Sequence, residues 1–224
     1  MCLIVAFLSV GCCLAQTAVI RKNKLRSDVV EEYHTVIESD KQVNQGDYRA
    51  LYKRKVALAI GKYVNDKKVG IWRYFDKQQK LLQMYNYDRG ALQYEAPEDS
   101  LATFRYVFDK SFSDSTRATR PVKEGGRYFG YLPYLNYFKL PADLQGIDPD
   151  VAAASIELLI SPLGRLANFK IRLVSPYGDQ TFNIDPNQLA PKDRIFLPAT
   201  FNGQPTSCTI MIRCFLKRNG ELDI

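Results

Sequence analysis

Gly61-Lys62-Tyr63-Val64-Asn65-Asp66-Lys67-Lys68-Val69-Gly70-Ile71-Trp72-Arg73-Tyr74-Phe75-Asp76 is the stretch that decides the fold class. Trp72 and Tyr74 fall on one side of a period-two pattern, and Ile71, Arg73 and Phe75 fall on the other. A strand with one buried face produces that alternation, because successive side chains leave a pleated backbone in opposite directions. Asn65-Asp66-Lys67-Lys68 interrupts it with residues that accept turn conformations. Downstream, Leu81, Gln83, Tyr85 and Tyr87 form a second period-two set, bounded by Asp76-Lys77-Gln78-Gln79 and by Asp88-Arg89-Gly90. Short runs joined by short turns predict successive hairpins, hence an antiparallel meander over residues 19–92.

Further along, residues 96–100 break the pattern and residues 102–108 resume it. Residues 111–126 are polar, with Ser113, Ser115, Pro121, Gly125 and Gly126, and read as a loop or linker. A second region spans residues 127–224. Tyr131-Leu132-Pro133-Tyr134-Leu135 predicts a short helix with Pro133 in its first turn, stopped by Pro141. Ile156, Leu158 and Ile160, then Phe169, Ile171 and Leu173, alternate on either side of Ser161-Pro162-Leu163-Gly164 and predict a hairpin with a basic outer face. Residues 175–192 hold three prolines and read as irregular, with at most one helical turn near 186–189. A loop at Asn202-Gly203 leads to a final strand whose one face carries Cys208, Ile210, Ile212, Cys214 and Leu216. The expected fold is mainly β with minor α: a meander, then a small antiparallel sheet with one or two short helices.

The 61–76 stretch resembles the MORN-variant repeat of YwqK-type proteins, whose pattern runs G-x-Y-x-N-G-K-x-x-G-x-W-x-Y-Y-D. Gly61, Tyr63, Gly70, Trp72 and Tyr74 are the defining positions here, and Asp66 stands where the family's turn has Gly. A weaker preceding copy begins at Gln45-Gly46-Asp47-Tyr48. The resemblance implies hairpins stacked through aromatic faces, used as a scaffold or binding surface without catalysis. The second region is similar to the C-terminal domain of TonB-like proteins, through Tyr134-Leu135, Leu140-Pro141, the Gly164 turn and Leu197-Pro198-Ala199-Thr200-Phe201-Asn202-Gly203-Gln204-Pro205. It departs at residues 175–192, where the family has a regular helix, and at Thr206, where the family has Val. That resemblance implies recognition of a protein or peptide partner by strand addition. It places the candidate edge at Thr206, Cys208, Ile210, Ile212 and Cys214, or at the hairpin around Gly164.

Residues 1–20 carry no charge, and residues 2–10 are an apolar block followed by small residues at Cys13-Leu14-Ala15. The pattern is that of a signal peptide over residues 1–15, cut before Gln16, although no basic residue precedes the block. A spanning anchor and lipidation at Cys12 or Cys13 are the alternatives; Arg21, Lys22 and Lys24 directly after the segment oppose the anchor. Export places the mature protein in the periplasm or outside the cell and makes envelope components its expected company. The four parts are then the signal at 1–15, a meander at 16–110, a loop or linker at 111–126 and the TonB-like domain at 127–224. Cleavage leaves Cys208 and Cys214, six residues apart on one predicted strand and therefore too distant to bridge.

Reactive clusters are sparse in the sequence. His34 is the single histidine, and it sits in a strand-like run. No phosphate-binding glycine loop, nucleophile elbow or zinc-ligand spacing occurs, so no catalytic residue, metal or cofactor is expected. Asp179, Asp185 and Asp193 follow no calcium-loop spacing. The net charge of +7 comes from basic residues spread along the chain. Export opposes a nucleic-acid partner but leaves contact with a membrane surface open. The expectation is an exported, non-catalytic binding or scaffold protein that is not an energy transducer. A basic, aromatic module attaching to anionic lipid or glycan is the alternative.

Overall fold

The computed structural model describes residues 18–97, 103–113, 115–144 and 147–224. The expected signal peptide, with Cys2, Cys12 and Cys13, lies outside the described residues. Seven strands form the first sheet in sequence order: β1 (Val19–Lys24), β2 (Val29–Glu38), β3 (Lys41–Tyr52), β4 (Val56–Val64), β5 (Lys67–Phe75), β6 (Leu81–Asn86) and β7 (Ala91–Glu95). All neighbours are antiparallel. Ser39 and Asp40, and again Asn65 and Asp66, both adopt positive φ in two-residue turns, the twist that suits a tight hairpin. Asp66 suits this turn for a local reason. Asp66 sits at φ 63° and its carboxylate accepts the Asn44 N–H at 2.8 Å, offsetting part of the left-handed penalty.

The second sheet holds β8 (Phe104–Val107), β10 (Ala153–Ile160), β11 (Leu166–Ser175), β12 (Gly178–Ile184), β15 (Cys208–Leu216) and β16 (Leu222–Asp223). Its main path runs β12-β11-β10-β15-β16, with β8 also bonded to β15. A small third sheet joins β9 (Ala118–Thr119), β13 (Ala199–Phe201) and β14 (Gln204–Thr206). The helix α1 (Leu132–Leu135) has Pro133 at its start, as expected, but is a single turn preceded by a 3-10 turn at Phe129–Tyr131. Among the described residues no helix is long and apolar enough to cross a membrane.

The division drawn from the sequence needs correction at three points. Residues 104–107, expected in the meander, pair instead with Thr209–Ile212 of the second sheet. The 111–126 stretch is loop in outline, yet its second half is built in: β9 pairs with β13, Val122 bridges to Leu197 and Lys123 is buried. Residues 175–192 contain the seven-residue strand β12, followed by 3-10 turns at Pro186–Gln188 and Pro191–Arg194.

Both halves share one core. Tyr48, Trp72 and Tyr74 supply the inner face of the first sheet, and Ile156, Leu158, Phe169, Ile171, Ile210 and Ile212 that of the second. The 128–135 segment lies between them, with Phe129 stacked on Tyr74 at 5.9 Å and Tyr134 edge-on to Phe169 at 5.6 Å. Each such side chain contributes about 1.5–3 kcal/mol on burial. Polar contacts fix its register. The Gln83 amide is fully buried, donating to Glu95 and to the Lys123 carbonyl while accepting the Gly125 and Gly126 N–H groups. At the far end Arg26 donates to the Leu222 carbonyl at 2.6 Å, Lys217 to Asp28 at 2.8 Å and Lys77 to Asp223 at 3.1 Å.

Candidate functional site

The motif residues of the first sheet turn out to be architectural. Trp72 and Tyr74 are fully buried, and Tyr63 packs edge-on against Trp72 at 5.2 Å. Trp72 also donates through Nε1 to the Lys62 carbonyl at 3.3 Å. The two glycines serve different purposes. Gly70 has φ +64° and open space around it, so it meets a backbone requirement. Gly61 has no unusual φ; a Cβ there would lie 2.1 Å from the Trp72 ring, so it is the floor on which the indole rests. Burial, first of all, pushes the Tyr48, Tyr74 and Tyr87 phenols well above their ordinary range, and Tyr63 up to about 12.

Of the candidate edge, Cys208–Cys214 is closed on both sides, and only Thr206 stands on an edge strand, the three-residue β14 of the small third sheet. Thr206 belongs to β14, opposite Ala199. Cys208, Ile210, Ile212 and Cys214 lie on β15, which pairs with β10 from Cys208 to Cys214 on one side. Its other side is taken by β8 and β16. The alternation of the final strand was correctly read, since all four side chains are buried on one face. What sequence could not show is that β8, about a hundred residues earlier in the chain, closes the outer side. Burial also pushes the Cys208 and Cys214 thiols up to about 12, which makes them core residues without thiolate reactivity.

The Gly164 hairpin fares differently. Its strands β10 and β11 are interior, but β11 carries β12 on its outer side, and among the described residues β12 pairs with β11 alone. Seven residues, Gly178–Ile184, therefore form an edge of the second sheet. In an antiparallel pair every second residue directs its N–H and C=O away from the partner strand, so β12 presents a row of free donors and acceptors. Phe182 is half-buried and meets Phe138 at 5.6 Å, holding the strand in place from the inner face. Asp179, Thr181 and Asn183 point to solvent. Their registered neighbours are Val174, Arg172 and Lys170, and Arg172 is paired with Glu157 at 2.6 Å. The strand signal was present in the alternation of Asp179, Thr181 and Asn183 with Gln180, Phe182 and Ile184; the flanking glycine and prolines obscured it.

A second surface lies on the outer face of the first sheet. One rung crosses all seven strands as Lys22, Glu32, Arg49, Ile60, Arg73, Met84 and Tyr94. Around it, Ile20, Ile60 and Ile71 are exposed beside Arg49, Lys62 and Arg73 in a groove of about 760 Å³. The expected basic, aromatic surface is thus aliphatic and basic, because Tyr48, Tyr63, Trp72 and Tyr74 face inward. His34 lies at this groove with Nδ1 against the Asp47 carbonyl at 3.0 Å. Among the described residues no three His, Cys, Asp or Glu side chains gather as a metal site would require.

Comparison with models of protein families, with curated proteins and with solved structures finds no match to this chain.

Proposed function

We propose that the chain is an exported, non-catalytic binding protein of the bacterial envelope that captures an extended segment of a partner protein by adding it as a strand beside β12. The observation that carries this reading is the seven-residue strand that, among the described residues, is bonded on one side only. A free edge of that length offers several backbone hydrogen bonds to an extended chain, and the side chains of Thr181 and Asn183 would meet its alternate residues. The apolar block at residues 2–10 with the small residues before Gln16 supports export, and the resemblance of residues 197–205 to TonB-like domains supports strand addition.

Gln180 and Thr181 are neighbours, so one directs its N–H to β11 and the other to the open edge. Proline at the first disrupts the sheet, whereas proline at the second removes only an edge donor. Capture of an envelope partner by the chain from Gln16 should fall about tenfold or more in whichever of Gln180→Pro and Thr181→Pro keeps the parent Tm. Backbone amides of β12 should also exchange more slowly in the complex. Undiminished capture by the folded proline variant sinks strand addition at this edge.

The groove around Ile60 and Ile71 favours a second reading, attachment to an anionic lipid or glycan surface through exposed aliphatic and basic side chains. Sedimentation with anionic vesicles that weakens steeply with salt, and that survives the β12 proline, would favour it over the first.

A further inference from the structure

A cleft of about 310 Å³ opens between the inner face of the first sheet and the 123–136 segment, and two lysines face it, Lys68 half-buried and Lys123 buried. Lys68 comes from β5 and Lys123 from the segment opposite. The Lys68 Nζ lies 4.3 Å from the centre of the Trp72 ring and 4.8 Å from that of Tyr87, and it donates to the Tyr87 and Tyr74 hydroxyls at 3.1 and 3.4 Å. The Lys123 Nζ donates to the Lys192 and Ile195 carbonyls at 2.8 and 3.1 Å. An ammonium has three donors, so each amine keeps one unused. Neither forms an ion pair among the described residues.

A buried ammonium without a counter-charge is costly, and two facing one cleft more so. Burial draws both amines down to about 8, chiefly through loss of hydration. The acids around the cleft do not neutralise them directly. Glu31 is occupied by the Tyr48 hydroxyl at 2.8 Å and the Asn23 amide at 2.9 Å. Glu124 is exposed and accepts the Tyr87 hydroxyl at 3.0 Å. Asp193 and Lys192 stand together at the rim with opposite charges. The interior of the cleft is therefore cationic and its mouth mixed. Its accessible walls, Leu25, Tyr63, Phe129 and Pro133, are apolar and half-buried.

We propose that this cleft binds a small organic carboxylate, with the anionic end at the free donors of Lys68 and Lys123 and a flat apolar body against Tyr63, Phe129 and Pro133. The volume lies at the low end of the roughly 300–1,000 Å³ range of ligand pockets, which suits a single-ring acid. The site goes beyond strand capture and is independent of it, because no residue of β12 lines the cleft.

Trp72 is the only tryptophan and lies directly beneath the Lys68 amine, so its emission reports on that amine. The probes are benzoate and phenylacetate, with benzamide and benzylamine as neutral and cationic counterparts of similar shape. The carboxylates should change Trp72 emission saturably in the millimolar range or below and raise Tm, whereas the amide and the amine should not. Lys68→Met and Lys123→Met should each weaken the carboxylate response about tenfold or more. Both variants remove a charge that has no ion-pair partner among the described residues and are expected to fold; in the parent protein, the NMR titration of the Lys68 Cε signal gives a second readout and should move to higher pH when benzoate is bound. The proposal is overturned by no saturable response to either carboxylate, by equal responses to acid and amide, by undiminished binding in folded Lys68→Met, or by a Lys68 titration that benzoate leaves in place.

Discussion

The two sheets reach the same antiparallel architecture by different routes. In the first, each of seven strands pairs with its neighbour in sequence, and three of the six turns place Asp, Asn or Gly at positive φ. In the second, β10, β11 and β12 follow one another, as do β15 and β16, but β15 and β8 arrive from opposite ends of the region to complete the sheet. The inner faces differ as well, aromatic in the first and largely aliphatic in the second. Local pairing depends on turn chemistry a few residues long. Long-range pairing depends on which apolar faces meet after collapse, and no short stretch of sequence encodes that.

The largest test of the comparison asks whether the two routes end in one cooperative unit. Trp72→Ala in the first sheet and Phe169→Ala in the second should each lower the unfolding free energy by about 3–5 kcal/mol. Because the 129–134 segment stacks Phe129 on Tyr74 of one sheet and sets Tyr134 edge-on to Phe169 of the other, urea unfolding followed by circular dichroism should stay a single transition in both variants. Two separated transitions would show that the halves fold independently.

A smaller effect separates two residues that look alike in the motif. Gly61→Ala forces a methyl group into the Trp72 ring and should cost about 3 kcal/mol, at the upper end of overpacking penalties. Gly70→Ala meets no atom and pays only for its left-handed backbone, so about 1 kcal/mol is expected. Equal losses would mean that backbone conformation, not the indole, dictates both glycines.

The smallest effect is a pH dependence arising where the sheets meet. Lys68 and Lys123 titrate near 8 in the folded chain against an ordinary 10.5, both lowered mainly by burial. From pH 8 to 9 the unfolded chain binds more protons through these lysines, so stability should rise; above 9 the Cys208 and Cys214 thiols, raised to about 12, lose protons only in the unfolded chain and offset that rise. Above 10 the sign reverses: the raised phenols of Tyr48, Tyr74 and Tyr87 stay protonated in the fold while the unfolded chain releases its protons. Thermal melts across this range should show the rise in the parent protein and a shallower one in Lys68→Met.

The candidate site was legible only in part. The buried faces of β10, β11 and β15 follow directly from the alternation of Ile156 with Leu158, Phe169 with Ile171, and Ile210 with Ile212. The open edge did not follow, because alternation reports which face is buried and is silent about which side is bonded. Lys68 shows the reverse case. It stands in the same period-two set as Trp72 and Tyr74, so its inward direction was encoded, although its place beside the Asn65-Asp66 turn made it read as a solvated turn residue.

By itself the sequence determined the strands, their buried faces and the hairpins of the first sheet, since pleat and turn geometry act over two to four residues. Tertiary structure alone decided that β8 covers β15 and that, among the described residues, β12 pairs on one side only. It also decided that Gln83 stitches the 123–126 loop onto the first sheet, and that two lysines about fifty residues apart in sequence share one cleft. The physical reason is common to all three. Backbone groups and charges taken from water must find partners wherever collapse has put them, and distance along the chain does not limit that search.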